Sequence, residues 1–150
     1  MKNKLLILSV YPAPYRVNLF ESFSDVFDVD VFFEHSGGDQ RNDEWFVKGN
    51  YYLLDTTSGK SKYREISVRD YDFVAIYDYA SKRAIELIAK CKICGVPYVI
   101  NCDGVMIEDH GNFIRDMIKR FLIKGASGYF ASGENAKNYF LKYGAKEDRI

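Results

Sequence analysis

"KLLILSVYPAPYRVNLFESF", residues 4–23, decides the fold. Its "LLILSV" (5–10) is apolar on both faces, as in a strand buried between two layers rather than half exposed. From residue 15 the period changes. Val17, Phe20, Phe23 and Phe27, joined by Leu19 and Val26, recur at helical spacing and predict a helix over 15–27 with a broad buried stripe. A buried strand running straight into a helix is the first half of a strand–helix–strand crossover, and "DVDVFFE" (28–34) supplies the second strand.

The alternation continues outward from there. Residues 35–50, "HSGGDQRNDEWFVKGN", are polar, carry glycines and show no period, which reads as a long loop. "YYLL" (51–54) is a short strand, followed by a polar, partly helical stretch to Arg69. "DFVAIYD" (72–78) is a strand, and "ASKRAIELIAKCKIC" (80–94) a helix ended by Gly95 and Pro97. "PYVINCD" (97–103) is the next strand, and 111–124 a helix stopped by Gly125. "SGYFAS" (127–132) is the last strand; Ser132 and Glu134 open the helix "ENAKNYFLKYG", which stops at Gly144. Strands separated by helices pair in parallel through crossovers. The expected fold is therefore α/β: an open, doubly wound parallel sheet, Rossmann-like, with helices on both faces. Residues 1–150 make one domain of ordinary size, and "AKEDRI" runs on toward a further element, as in one domain of a longer protein.

Composition narrows the partners. Lysines and arginines number 21 against 21 acidic residues, a balance that points to neither nucleic acid nor an acidic polymer. There are 12 tyrosines and 11 phenylalanines, some expected in the core with a hydrogen-bonded hydroxyl and some suited to a sugar or lipid surface. No apolar run reaches membrane-span length and the N-terminus lacks a signal-peptide pattern, so a cytoplasmic location is expected. In "CKIC", Cys91 and Cys94 stand one turn apart, but there is no second pair and the two histidines, His35 and His110, are distant in sequence. They read as small residues at a helix end, and no metal site is expected.

In open α/β sheets ligands sit beyond the carboxyl ends of the strands, which singles out the turns 11–16, 34–45, 78–81 and 101–105. The first lacks the G-x-G-x-x-G that lets a pyrophosphate approach, which argues against a dinucleotide-dependent oxidoreductase. Pro14 suits the first helical position, and Ala13 has no side chain to cap the free N–H groups behind it. Arg16 adds a fork of donors. The turn is either an anion or hydroxyl site or a stiff proline turn with a surface arginine. In "NCDG" (101–104), Asp103 either accepts a ligand hydroxyl or acts as a base, or it caps an Asp-Gly turn, while Cys102 points into the core. Arg41, Glu44 and Trp45 lie in the long loop, where arginine and tryptophan suit stacking on a sugar or packing on their own domain.

Helix 111–124 is two-sided. Ile114, Met117, Ile118, Phe121 and Leu122 share one face; Arg115, Lys119, Arg120 and Lys124 lie across the other. Either the apolar side covers the sheet and the basic side is solvated, or the helix rests on anionic lipid.

Taken in order, these stretches resemble the N-terminal domain of GT-B glycosyltransferases, family 4 of the retaining type. "YPAPYRVNLFESF" is similar to the family's first turn, in the subset with proline-tyrosine-arginine in place of a glycine pair, and "DQRNDEWFV" to its arginine-to-tryptophan loop. "YDFVAIYDYASKRAIELIAKCKICGVPYVINCDG" resembles the unit leading into "G-x-P", and "GASGYFASGENAKNYFLKYGAKEDRI" the signature that closes the domain. The resemblance spans almost all of the chain. It implies an enzyme moving a sugar from a nucleotide-sugar, a UDP- or GDP-sugar, onto a saccharide or lipid-linked acceptor in polysaccharide synthesis. It also implies a cytoplasmic enzyme, peripheral at the inner face of the membrane, with no metal and no further cofactor. The domain in hand would shape the acceptor side; the nucleotide-sugar-binding domain would lie outside it, and 1–150 alone would not turn over. By the same resemblance Tyr15, Arg16, Arg41 and Trp45 face the cleft, and Ser132, Gly133 and Glu134 line it. Asp103 falls where many members carry a histidine, so the histidine's role does not carry over, and an aspartate there suits holding an acceptor or donor hydroxyl. A reading from another class is a stand-alone α/β ligand-binding or regulatory module, although "SVYPAP" lacks the clustered carboxylates of a receiver domain.

Overall fold

A computed structural model describes residues 2–37, 48–103 and 113–150. Among them are β1 (Lys4–Ser9), β2 (Asp28–Phe33), β3 (Tyr52–Leu53), β4 (Phe73–Tyr77), β5 (Tyr98–Cys102) and β6 (Gly128–Ala131). They form one six-stranded parallel sheet in the order β3-β2-β1-β4-β5-β6. Alternating with them are α1 (Pro14–Phe23), α2 (Thr57–Glu65), α3 (Lys82–Cys94), α4 (Phe113–Ile123) and α5 (Glu134–Lys142). The order winds outward from β1 to β3 and then from β4 to β6, which is the doubly wound α/β fold. The chain divides into two compact units, Met1–Ala75 and Ile76–Ile150.

In the first unit β1 pairs with β2 from Lys4 opposite Asp28 to Ser9 opposite Phe33. Leu6, Ile7 and Leu8 are wholly buried, so both faces of β1 are covered, as its unbroken apolar run requires. The neighbours Phe32 and Phe33 point to opposite faces. Phe33 stacks on Phe20 of α1 at 5.9 Å between rings, and Phe32 stacks on Tyr52 at 5.0 Å. The helix stops at Phe23, four residues before the predicted end. The Ser22 hydroxyl donates to the Leu19 carbonyl at 2.6 Å, and Asp28 N–H must reach the Asn3 carbonyl to start the β1–β2 pairing. A tight turn over 24–26 makes that connection. The buried stripe is narrower in consequence: Val17 and Phe20 are buried, while Leu19 and Val26 are exposed.

The polar stretch after β3 holds α2. Thr56 caps it, its hydroxyl oxygen accepting the Gly59 N–H at 3.1 Å. Thr56→Ala should lower stability by about 1 kcal/mol, read as a shift of the urea midpoint at constant slope.

In the second unit Ser81 caps α3 by accepting the Ala84 N–H at 3.0 Å, and Gly95 ends the helix in the left-handed conformation. Cys91 lies on the inner side of α3 beside Leu87 and Ile88. Burial first, then the neighbouring Cys94, pushes its thiol up to about 12, so it stays protonated and packs as a small apolar group. Two tyrosines close the end of α4. Tyr98 and Tyr129 donate to the last-turn carbonyls of α4, Leu122 at 3.0 Å and Ile123 at 2.6 Å, and Lys92 Nζ donates to Lys124 O at 2.6 Å. Tyr129 also packs on Phe140 of α5 at 4.8 Å. No helix of the described residues is long and apolar enough to cross a membrane.

Candidate functional site

Each unit presents a set of polar groups at the carboxyl ends of its own strands, the edge where α/β sheets bind ligands. In the first unit the set begins with the turn out of β1. Ala13 is the N-cap of α1 at φ −63°, ψ 144°, makes no side-chain cap, and Pro14 takes the first helical position, as the sequence predicts. The donors behind it are fewer than expected. Ala13 N–H is taken by Tyr11 O at 2.9 Å and Arg16 N–H by Ala13 O at 2.9 Å, a tight first turn that leaves the Tyr15 N–H as the outward one. The Tyr15 ring is 55% exposed.

Arg16 is neither a surface arginine nor an outward fork. It is 6% exposed, and Nη1 donates to the Ser9 hydroxyl of β1 at 2.6 Å. The guanidinium therefore braces the strand end against the helix start, and its role is to set the shape of the turn. Beside it, the ring of His35 lies 5.7 Å from Tyr11, and the side chain of Asp55, beyond β3, accepts the Ser36 N–H at 2.6 Å. Partial burial alone would raise the Asp55 pKa; hydrogen bonds from Ser36 and the charge of His35 outweigh it and hold the carboxyl below its ordinary value. A carboxyl depressed in the folded state contributes stability above its unfolded pKa and loses it as pH falls through the folded one. Asp55→Asn should therefore lower stability slightly at neutral pH, an exposed carboxyl's worth, and the gap to wild type should narrow as pH falls below the ordinary carboxylate range in paired denaturation curves.

The second unit brings more of the predicted residues together. Asp103, one residue beyond β5, accepts a hydrogen bond from the Ser132 hydroxyl, just beyond β6, at 2.7 Å. Ser132 N–H in turn reaches Cys102 O at 3.3 Å, which holds the two strand exits side by side. Gly133 follows as N-cap of α5 at φ 114°, ψ 176°, a conformation reserved for glycine, and a Cβ there would meet nothing within 4 Å. It offers no capping side chain, so the start of α5 is open, with Glu134 as its first, exposed residue. α1 and α5 thus begin uncapped, whereas α2 and α3 are capped by Thr56 and Ser81.

Asp78, at the exit of β4, was within a turn the sequence singled out but carries no predicted role there. It adopts φ 67°, the left-handed region, the one such non-glycine among the described residues. Burial first, then the charges of Asp103 and Asp78, raises the Cys102 thiol to about 11, which puts both carboxylates within electrostatic reach of that buried, inward-facing group. The clue available in the sequence was that Asp78, like Asp103, is a carboxylate placed directly after an apolar strand. Next to it Tyr79 is buried, its hydroxyl bonded to that of Tyr139. Arg41 and Trp45, with Glu44, lie outside the described residues.

The four cations assigned to one face of α4 are split. Lys119 is half-buried, with Nζ 3.4 Å from the Tyr143 hydroxyl, and Arg115 lines a groove with it; Arg120 and Lys124 stand exposed. The apolar side of α4 does not cover the sheet: only Leu122 and Ile123 are buried.

The chain matches no protein-family model and no curated protein sequence. Solved structures do match. A UDP-N-acetylglucosamine 2-epimerase aligns over 100% of this chain and 47% of its own, at 16% identity and a TM-score of 0.63. A Listeria monocytogenes protein assigned to the same activity aligns over 100% and 44%, at 15% identity and 0.63. Anabaena Alr3699/HepE, solved in complex with UDP, aligns over 99% and 42%, at 15% identity and 0.58. The chain therefore spans about half the length of the structures it matches. At these identities what is shared is the fold, the open α/β Rossmann-like architecture of one half of those proteins.

Proposed function

We propose that the chain is the acceptor-side, N-terminal domain of a nucleotide-sugar enzyme of the GT-B type, a family 4 retaining glycosyltransferase of polysaccharide synthesis. In this reading the nucleotide-sugar domain is a separate one. The observation that carries it is the Asp103–Ser132 pair beside the uncapped, glycine-led start of α5, a hydroxyl-binding group next to helix N–H groups at the ligand edge of the sheet. Supporting it, HepE has been solved with UDP and with UDP-glucose, and the likeness to it covers nearly all of this chain. Asp103 would accept a hydrogen bond from a sugar hydroxyl, with Ser132 fixing the carboxylate. The N–H groups of Gly133 and Glu134 would face the oxygens of a bound sugar or its phosphate. Arg16 holds the first turn in place, and Arg41 and Trp45 are assigned to acceptor binding by the resemblance alone. The donor would be a UDP- or GDP-sugar, with no metal required.

The test is sugar transfer by the protein expressed from its whole gene, with labelled UDP- and GDP-sugars and an acceptor panel. Asp103→Asn should lower kcat/KM by about ten- to a hundredfold, the worth of a hydrogen bond to a charged group, while leaving the urea midpoint in place. No transfer from any donor, or equal transfer by Asp103→Asn, would end the reading. A second reading is a nucleotide-sugar epimerase, which the higher TM-scores of the two epimerase structures favour. It predicts conversion of a UDP-sugar without any acceptor.

A further inference from the structure

Strands β5 and β6 differ in character between their two faces. On one, Tyr98, Ile100 and Tyr129 are buried, and Tyr129 packs on Phe140 of α5. Side chains alternate along a strand, so Asn101 and Phe130 belong to the other face, with the exit residues Asp103 and Ser132. The pairing sets Asn101 opposite Phe130, and the 2.7 Å bond from Ser132 to Asp103 carries the same register two residues further. The four side chains thus stand at the corners of a patch of about 4.8 by 6.6 Å, the spacing of neighbouring strands and of two residues along one.

Two members of the patch are in unusual states. Phe130 is 52% exposed inside β6, on the face away from the Tyr129–Phe140 contact. Asn101 is 8% exposed, yet its Oδ1 has no hydrogen-bond partner among the described residues. A buried acceptor without a donor destabilises the unliganded protein, and few are kept in folded chains. This one stands two residues before Asp103, at the strand ends where α/β sheets bind ligands.

These groups select the chemistry of a ligand. Asn101 Oδ1 and Asp103 accept hydrogen bonds, so the ligand must bring donors. The Phe130 ring offers a flat face to C–H groups or to a cation. A cation is disfavoured on two counts. The open start of α5 directly follows Ser132 and presents positive partial charge there, and burying a charge against a neutral amide costs far more than burying a hydroxyl. A neutral ring with hydroxyls at its rim meets both demands, its apolar face on Phe130 and its donors on the two acceptors. The terminal torsion of asparagine is soft, so Oδ1 can turn to an incoming donor.

We propose that this face of the β5–β6 exit binds one neutral sugar ring, stacked on Phe130, with Asn101 accepting a hydrogen bond from it beside Asp103. The proposal rests on the sugar-binding part of the function proposed above and not on transfer, so binding is measured without a nucleotide. In NMR titrations of the isotope-labelled full chain with glucose, galactose and N-acetylglucosamine, at least one sugar should shift the amide signals of 99–103 and 128–134. Tetramethylammonium should not. Phe130→Ala and Asn101→Leu should each weaken that binding about tenfold, the effect of losing a stacked ring or a hydrogen bond. Asn101→Leu has a second signature. It removes an acceptor that is unpaired in the free protein and keeps the shape, so its urea midpoint should equal or exceed that of wild type, whereas an asparagine held by structural bonds would lose stability. The proposal is overturned if no sugar shifts these signals up to about 50 mM, if tetramethylammonium shifts them instead, if either variant binds as wild type does, or if Asn101→Leu lowers the midpoint. Sugar binding without any transfer would sink the transferase reading alone. Transfer that depends on Asp103 but not on Phe130 or Asn101 would sink this proposal alone.

Discussion

Replacing Gly59 by alanine should cost at least about 3 kcal/mol, the upper end of overpacking effects, and in a marginal domain it should prevent folding. The reason is a contact between two stretches of backbone. A Cβ built on Gly59 would stand 1.9 Å from Leu53 O and 2.6 Å from Leu53 C. Neither atom belongs to a side chain that could swing aside. Relief would require moving α2 off β3, and Leu53 is the residue that pairs with Phe33 of β2. The helix would also lose its cap, because Gly59 N–H is the donor to Thr56 Oγ1. The measurement is urea denaturation of the purified variant, with Gly49→Ala as a comparison. There the nearest atoms, Val17 Cγ1 at 2.7 Å and Glu21 Oε1 at 2.9 Å, belong to side chains rather than to backbone; the exposed Glu21 can swing aside while the buried, β-branched Val17 must give, so a smaller loss than at Gly59 is expected. A Gly59→Ala midpoint equal to wild type would show that the close approach of α2 to β3 is wrong.

Arg16→Ala should be the next most damaging change, at about 2–4 kcal/mol. It empties the space of a long side chain that is 6% exposed and leaves the wholly buried Ser9 hydroxyl without its 2.6 Å donor. Arg16→Lys should recover only part of this, since an ammonium cannot reproduce the planar fork and costs more to dehydrate. An exposed, ligand-facing arginine would behave differently: alanine would leave stability within about 0.5 kcal/mol of wild type and change binding alone. Denaturation of the two variants therefore separates a bracing arginine from an exposed one.

Much of the fold could be read directly from residue patterns. Unbroken apolar runs such as "LLIL" (5–8) and "FVAIY" (73–77) mark strands covered on both faces, and Gly95 and Gly144 mark helix stops. Boundaries slipped where a local hydrogen bond outweighed periodicity, as at Phe23, where Val26 and Phe27 kept the apolar spacing but not the helix. Of the candidate site, Asp103, Ser132 and Gly133 were legible as residues that follow strands or open a helix. Asp78 was legible only as a carboxylate after an apolar strand; its left-handed φ comes from the turn it occupies and shows in no residue pattern.

The sequence by itself determined which residues lie on strands, which share a helix face, and that Ala13 and Pro14 start α1 without a side-chain cap. These are properties of neighbours along the chain, set by side-chain period and by the presence or absence of a capping oxygen. The tertiary structure decided what those faces and turns meet. Arg16 turns inward because Ser9, seven residues earlier, ends the strand beneath it; Asp103 finds Ser132 29 residues on, once β5 and β6 pair. The direction of α4 was decided in the same way. Periodicity sorts its apolar from its basic residues, but the Tyr143 bond to Asp116 and the capping of Leu122 and Ile123 by Tyr98 and Tyr129 set which side faces the sheet. A period has no sign, and only contacts from distant parts of the chain supply one.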